Sequence, residues 1–212
     1  MFHLAATRFN NCTYTENLDY RKNNNEIAIY GAPLKIRDIY SVGCCIFVIE
    51  MNNELNRIEG VSLIRNNLVN DKKYKIYKNA EYNRYVYRGT YWISRQNIEA
   101  IDTEIVQICD LILFKGKSHL KRRTGITILT DKLFTNWRFD LRTLKNKIKY
   151  LFIRLFKHNE NEISQEETET SKEETETSQE ETETSQEETE TFEIIPSCKR
   201  KKKSTEKINI EK

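Results

Sequence analysis

The sequence holds only three histidines, His3, His119 and His158, and none has a neighbour at ligand spacing. Its five cysteines form no Cys-x-x-Cys pair. Together these absences argue against a structural zinc site, and no metal or other cofactor is expected. Glycine is scarce, at six residues, and no phosphate-cradling glycine loop occurs. There is no His-Glu-x-x-His and no nucleophile elbow. The longest apolar run, residues 42–49, is far too short to span a bilayer. The first dozen residues lack the charged and apolar regions of a secretory signal. The odd cysteine count, with Cys44 beside Cys45, fits reduced, mostly packed thiols, so an intracellular setting is expected.

What the sequence does contain is charge, unevenly spread. Residues 1–157 carry 27 lysines and arginines against 15 aspartates and glutamates, about +12, which favours an anionic partner such as nucleic acid. Residues 160–193 hold 15 glutamates and one lysine, whereas 194–212 are basic again. Residues 164–191 are four near-identical copies of Ser-Gln/Lys-Glu-Glu-Thr-Glu-Thr. A period of seven invites a coiled coil, but no position in the unit is apolar, so no seam exists to bury. Such a segment cannot offset its ordering entropy, and a disordered acidic tail is expected over 158–193, followed by a disordered basic one over 194–212. Serines and threonines followed by glutamates suit acid-directed kinases; an unmodified spacer is the alternative. The run Lys199, Arg200, Lys201, Lys202, Lys203 resembles a nuclear-import signal, and it equally suits general contact with polyanions.

Periodicity outlines the rest. Residues 1–25 read as a polar segment ending in a loop. Strands are expected over 26–36, broken by Gly31-Ala32-Pro33, and over 42–51, a continuous apolar run suited to a buried central strand. Residues 57–65 return as its hairpin partner across a turn at 52–56, with Gly60 marking a bulge or close approach. Further strands are expected over 73–77, 85–93 (with Gly89 inside) and 125–129. Ser94 caps a helix whose stripe is Ile98, Ile101, Ile105, Ile108 and Ile112, closed by Lys115-Gly116-Lys117. A second, basic amphipathic helix spans 136–157; packing on its own sheet is its commoner use, with partner or membrane docking the alternatives. The resulting expectation is an α+β domain over 26–135, with a curved, mainly antiparallel sheet or small barrel of about five strands, two helices and a disordered tail.

Candidate chemistry follows from residue mixtures. Lys115, Lys117, Lys121, Arg122 and Arg123 crowd one segment. With Arg84, Tyr85, Arg88 and Trp92 they combine cations for phosphate and rings for bases, as single-stranded nucleic acid requires. Ordinary strand aromatics and helix-end cations are the plainer alternative. Alternation puts Tyr85, Tyr87, Gly89 and Tyr91 on one strand face, and Val86, Arg88, Thr90 and Trp92 on the other. For catalysis, Glu50, Glu59, Asp102, Glu104 and Asp110 are available but show no convergence, and Cys44 or Cys45 with His119 is the nearest approach to a nucleophile pair. No catalytic residue is assigned and no enzyme activity is expected.

Three stretches, FVIEMNNELNRIEGVSLIRN (47–66), YNRYVYRGTYW (82–92) and LILFKGKSHLKRRTGIT (111–127), together resemble an uncharacterised protein family of large DNA viruses of the mimivirus kind. The resemblance covers about residues 26–130. It implies a viral protein acting in an infected cell, in cytoplasm, nucleus or virion, and transfers no catalytic residue. The order of hairpin with inner glycine, two further strands and a helix is also similar to PUA-like β-barrels, including EVE-type domains. Those bind RNA or modified bases in a pocket beside the barrel, an implication at the level of fold alone. Two functions are therefore expected in competition. One is non-enzymatic nucleic-acid binding modulated by the acidic repeats. The other is a protein-interaction or virion-associated scaffold using the 136–157 helix or the acidic tail.

Overall fold

The computed structural model describes residues 2–156, and these form one α+β unit. The acidic repeats, the run from Lys199 to Lys203 and every reading placed on them lie outside the described residues.

The apolar run of 42–51 becomes β3 (Cys45–Asn52), with Ile46, Val48 and Ile49 fully buried. It pairs antiparallel with β4 (Arg57–Arg65), as its hairpin pattern predicts, through a turn in which Asn56 takes a left-handed φ of 53°. β5 (Tyr85–Ser94) lies along β4, and β2 (Ala28–Ala32) lies along β5. On the other side of β3 runs β1 (Phe2–Phe9), parallel to it, and the two-residue β6 (Thr127–Ile128) flanks β1. The sheet therefore has six strands in the order β2-β5-β4-β3-β1-β6, curled into a half-barrel. Its two edges approach each other: a Cβ added at Gly125 would lie 3.4 Å from the Leu34 carbonyl and 3.6 Å from the Ala32 Cβ.

Gly60 acts as expected, and Gly89 plays a similar part. The β3–β4 register shifts beside Gly60 and the β4–β5 register shifts beside Gly89. A Cβ at Gly60 would meet the Ile93 carbonyl at 2.6 Å and the Trp92 indole nitrogen at 2.8 Å, so the backbone approach is close enough to exclude side chains.

Several expectations need correction. Residues 1–25, read as a polar segment ending in a loop, carry two regular elements: β1 and α1 (Asn11–Asn24), the latter opened by a capping box between Asn10 and Thr13 and running through Asn23 and Asn24. Residues 73–77 form no strand; Tyr74, Ile76 and Tyr77 are buried from an irregular segment. The isoleucine-striped helix is two helices, α2 (Arg95–Ile101) and α3 (Thr103–Phe114). Asp102 leaves helical geometry (φ −152°, ψ 90°), ends the first and caps the second by accepting from the Glu104 amide at 3.0 Å. The basic helix, α4, begins at residue 141 rather than 136 and is helical through 156. Asp140 is its cap, taking the Thr143 amide at 2.7 Å and the Thr143 hydroxyl at 2.9 Å.

Two cores flank the sheet. On one face α2, α3 and α4 cover Leu4, Ala6, Phe47, Ile49 and Val61, with Leu144, Ile148, Leu151 and Phe152 of α4 buried among them. On the other face α1 and irregular segments cover Ala5, Phe9, Ile46, Val48 and Ile64. None of the helices among the described residues is long and apolar enough to cross a membrane.

Candidate nucleic-acid interface

The face of the sheet under α1 carries a buried polar network. Glu50, in mid-strand on β3, forms an ion pair with Arg21 of α1 and accepts the Tyr30 hydroxyl at 2.5 Å. Tyr30 and Ser62 hydroxyls lie 2.8 Å apart. One turn earlier on α1, the Asn17 amide donates to the Ile29 carbonyl at 2.8 Å and to the Tyr77 hydroxyl at 3.1 Å. Burial, the largest single effect, acts to lower the Arg21 pKa, but the Glu50 charge and hydrogen bond together with Tyr30 and Tyr77 outweigh it and raise the pKa, so the guanidinium stays charged. Burial first, then the Glu50 charge, pushes the Tyr30 hydroxyl well above its ordinary range.

This network settles where Trp92 goes. The Arg21 guanidinium sits 5.9 Å from its ring centroid, and the indole N–H is buried against Gly60. The β5 irregularity also breaks the simple alternation: Tyr87 and Trp92 join the core under α1, and Tyr91 joins the opposite one, 4.6 Å from Phe156. Trp92 is therefore half-buried, packed against the core under α1 with its indole N–H enclosed.

Two of the remaining candidates in and just before β5 have partners of their own. Arg84 pairs with Glu81 at 2.9 Å. Arg88 pairs with Glu26 at 2.7 Å and donates to the Tyr74 hydroxyl at 2.9 Å. Tyr85 is half-buried opposite Ala32.

The segment after α3 behaves differently. Lys121 reaches Asn56 at 2.6 Å, and its carbonyl takes the Arg8 guanidinium and the Asn53 amide, each at 2.9 Å. These bonds fix the segment against the β3–β4 turn. Lys115, Lys117, Arg122 and Arg123 remain exposed, and among the described residues none of them enters a salt bridge. The segment then runs into the wall of a cleft of about 150 Å³, between the end of β1 and the end of β2. Thr124 and Gly125 form one side, Phe9 and Thr13 another, and the Tyr77 and Tyr82 rings, edge to face at 6.1 Å, a third.

A feature not anticipated from the sequence lies beside the same segment. Trp137 and Phe139 stack with their ring planes 13° apart and centroids 6.0 Å apart, both half-buried. Gly116 abuts this pair: with φ of +79°, its added Cβ would lie 3.5 Å from Trp137 Cζ2. Arg138 sits between the two rings in sequence and is exposed. The signal was present as aromatic, cation, aromatic before the Asp140 cap, but assigning 137–139 to the helix hid it.

The carboxylates considered for catalysis are each engaged. Glu59 binds Arg57 and Asn52, Asp110 binds Arg95 and the Ile58 amide, and Asp102 and Glu104 share Lys147. Burial and the neighbouring Cys45 raise the Cys44 thiol pKa, the opposite of what a nucleophile needs. Among the described residues, no three His, Cys, Asp or Glu side chains cluster as metal ligands. No family model, curated protein or solved structure matches this chain.

Proposed function

We propose that this chain is a non-enzymatic nucleic-acid-binding protein whose phosphate contacts come from Lys115, Lys117, Arg122 and Arg123. The observation that carries the reading is the clustering of these four exposed cations on one short segment, residues 115–123, none with a carboxylate partner among the described residues. Phosphate oxygens are the anions such a row accommodates, and each contact releases a condensed counterion. The cleft at the end of the segment matches the volume of a single ring. The reading keeps the viral setting that the sequence resemblance implies.

In this reading the glutamate-rich repeats are a tethered polyanion competing with nucleic acid for the same cations, at an effective concentration set by chain length. The test is salt-dependent binding of the full chain to labelled RNA and DNA. The apparent affinity falls with salt, with a logarithmic slope of about 0.7 per phosphate contacted on a single strand. Changing the four cations to glutamine lowers that slope by roughly 3. Changing the repeat glutamates to glutamine tightens binding. Absence of binding at low salt removes the reading, and unchanged affinity on neutralising the repeats removes their role.

One observation favours the scaffold reading. The Asn66 side chain donates to the Tyr40 and Ser41 carbonyls, and its backbone exchanges bonds with Gly43 and Cys44. This clamps a loop that holds Ile39 and Val42 outward, 76% and 83% exposed. If a second copy is the partner, sedimentation velocity shows association that Ile39→Asp with Val42→Asp abolishes; a monomer at all concentrations excludes that partner.

A further inference from the structure

We infer that the Trp137–Phe139 pair is a base-stacking platform, and that it selects single-stranded over duplex nucleic acid. The inference rests on the nucleic-acid reading above and adds the part of the ligand that cations alone cannot choose. Phosphate contacts hold any strand; an aromatic face is useful only to a base whose own face is exposed, which a duplex does not offer.

Three features of the pair support this role. Its rings are nearly parallel and stacked, an arrangement that a further ring can extend on an outer face, unlike the edge-to-face packing of Phe2 with Phe47 or Tyr77 with Tyr82. It lies in the irregular stretch between Leu133 and the α4 cap, packed onto the helix-side core yet still half-exposed. Its surroundings are cationic. Gly116 lies beside Trp137 and is flanked by exposed Lys115 and Lys117; Arg138, between the two rings in sequence, and Arg142, after them, are also exposed. The nearest acid in sequence, Asp140, is occupied in capping α4.

The left-handed conformation of Gly116 favours glycine at this point of the chain. At φ of +79° a side chain is strained, and the backbone carries its two lysines past the indole with no side chain at the point of contact. Platform and phosphate-binding segment are thus joined at one residue, and a strand whose phosphates lie on Lys115 and Lys117 has its bases within reach of Trp137.

The experiment uses the full chain and a fluorescein-labelled twelve-residue oligothymidylate, with an unlabelled copy for intrinsic fluorescence. The protein has two tryptophans, Trp92 and Trp137. Stacking is expected to quench the emission, with the quench surviving Trp92→Phe and lost in Trp137→Phe. Trp137→Ala weakens binding by roughly 5- to 150-fold, the range for loss of one base–aromatic stack, and leaves the salt slope unchanged. Trp137→Tyr recovers most of that affinity, which separates stacking from loss of fold; circular dichroism of each variant checks the fold directly. A duplex of the same length binds more weakly at equal salt. Binding without a Trp137 quench, or duplex binding as tight as single-strand binding, overturns this inference and leaves the nucleic-acid reading standing. Failure of the oligonucleotide to bind at low salt overturns both.

Discussion

At the scale of single residues, Glu50 is the least expected placement. A carboxylate with no exposed surface in a central strand is tolerated only because Arg21 neutralises it and the Tyr30 hydroxyl bonds to it. Breaking such a pair leaves one buried charge without compensation. Glu50→Gln is therefore expected to lower the unfolding free energy by about 3–5 kcal/mol, measured by urea denaturation. The double variant Arg21→Met with Glu50→Leu removes both charges together and is expected to lose clearly less than the single change. A double variant as damaged as Glu50→Gln contradicts the account. The sequence showed Glu50 as one acid interrupting an apolar run; its partner lies 29 positions earlier on a helix that the sequence did not announce.

At the scale of elements, α1 and α4 make opposite cases. α1 has no apolar stripe, and its buried residues are Asn17 and Arg21, so a test of hydrophobic periodicity passes over it. Its cap, Asn10 with Thr13, was the local signal available. β1 escaped for a related reason: its pairing with β3 is parallel, and a parallel neighbour is chosen by the crossover rather than by a local turn. α4, by contrast, carries a legible apolar face, and that face is spent on its own sheet. Leu144 and Ile148 have no exposed surface, and Lys147 ties the helix to Asp102 and Glu104 at 2.8 and 2.7 Å. Ile148→Ala is expected to cost about 2–5 kcal/mol of global stability in a single cooperative transition. A helix that docked elsewhere would instead tolerate the change, leaving the denaturation midpoint near its original value.

At the scale of the whole molecule, the described unit is a half-barrel with a helical layer outside and a polar network under α1. That arrangement has a pH signature. Burial raises the Tyr30 and Tyr77 pKa values above their ordinary value of 10.0, and the neighbouring Glu50 charge adds to both shifts. In the unfolded chain both hydroxyls ionise near pH 10, whereas in the folded protein they keep their protons. The native state then binds more protons than the unfolded one, so stability falls as pH rises. Each such group contributes about 1.4 kcal/mol per pH unit above roughly pH 10. The urea midpoint followed from pH 8 to pH 11 reads this directly, and Tyr77→Phe is expected to flatten it. A midpoint that stays level above pH 10 contradicts the burial of these hydroxyls as the cause.

The sequence by itself determined the β3–β4 hairpin, the close approach at Gly60, the isoleucine stripe and the segregation of charge. Each of these is written locally: in alternation, in a residue without a side chain, in a 3.6-residue period or in composition. The tertiary structure alone decided the rest. It set β1 beside β3, paired Arg21 with Glu50, turned Trp92 inward and brought Trp137 against Gly116. Those are contacts between residues far apart in the chain, and the side chains that make them carry no local mark of the partner they will meet. The candidate interface divides the same way. Its cations were legible as a run of lysines and arginines, whereas which of them lack carboxylate partners, and which aromatic stands beside them, depended on where the chain returned.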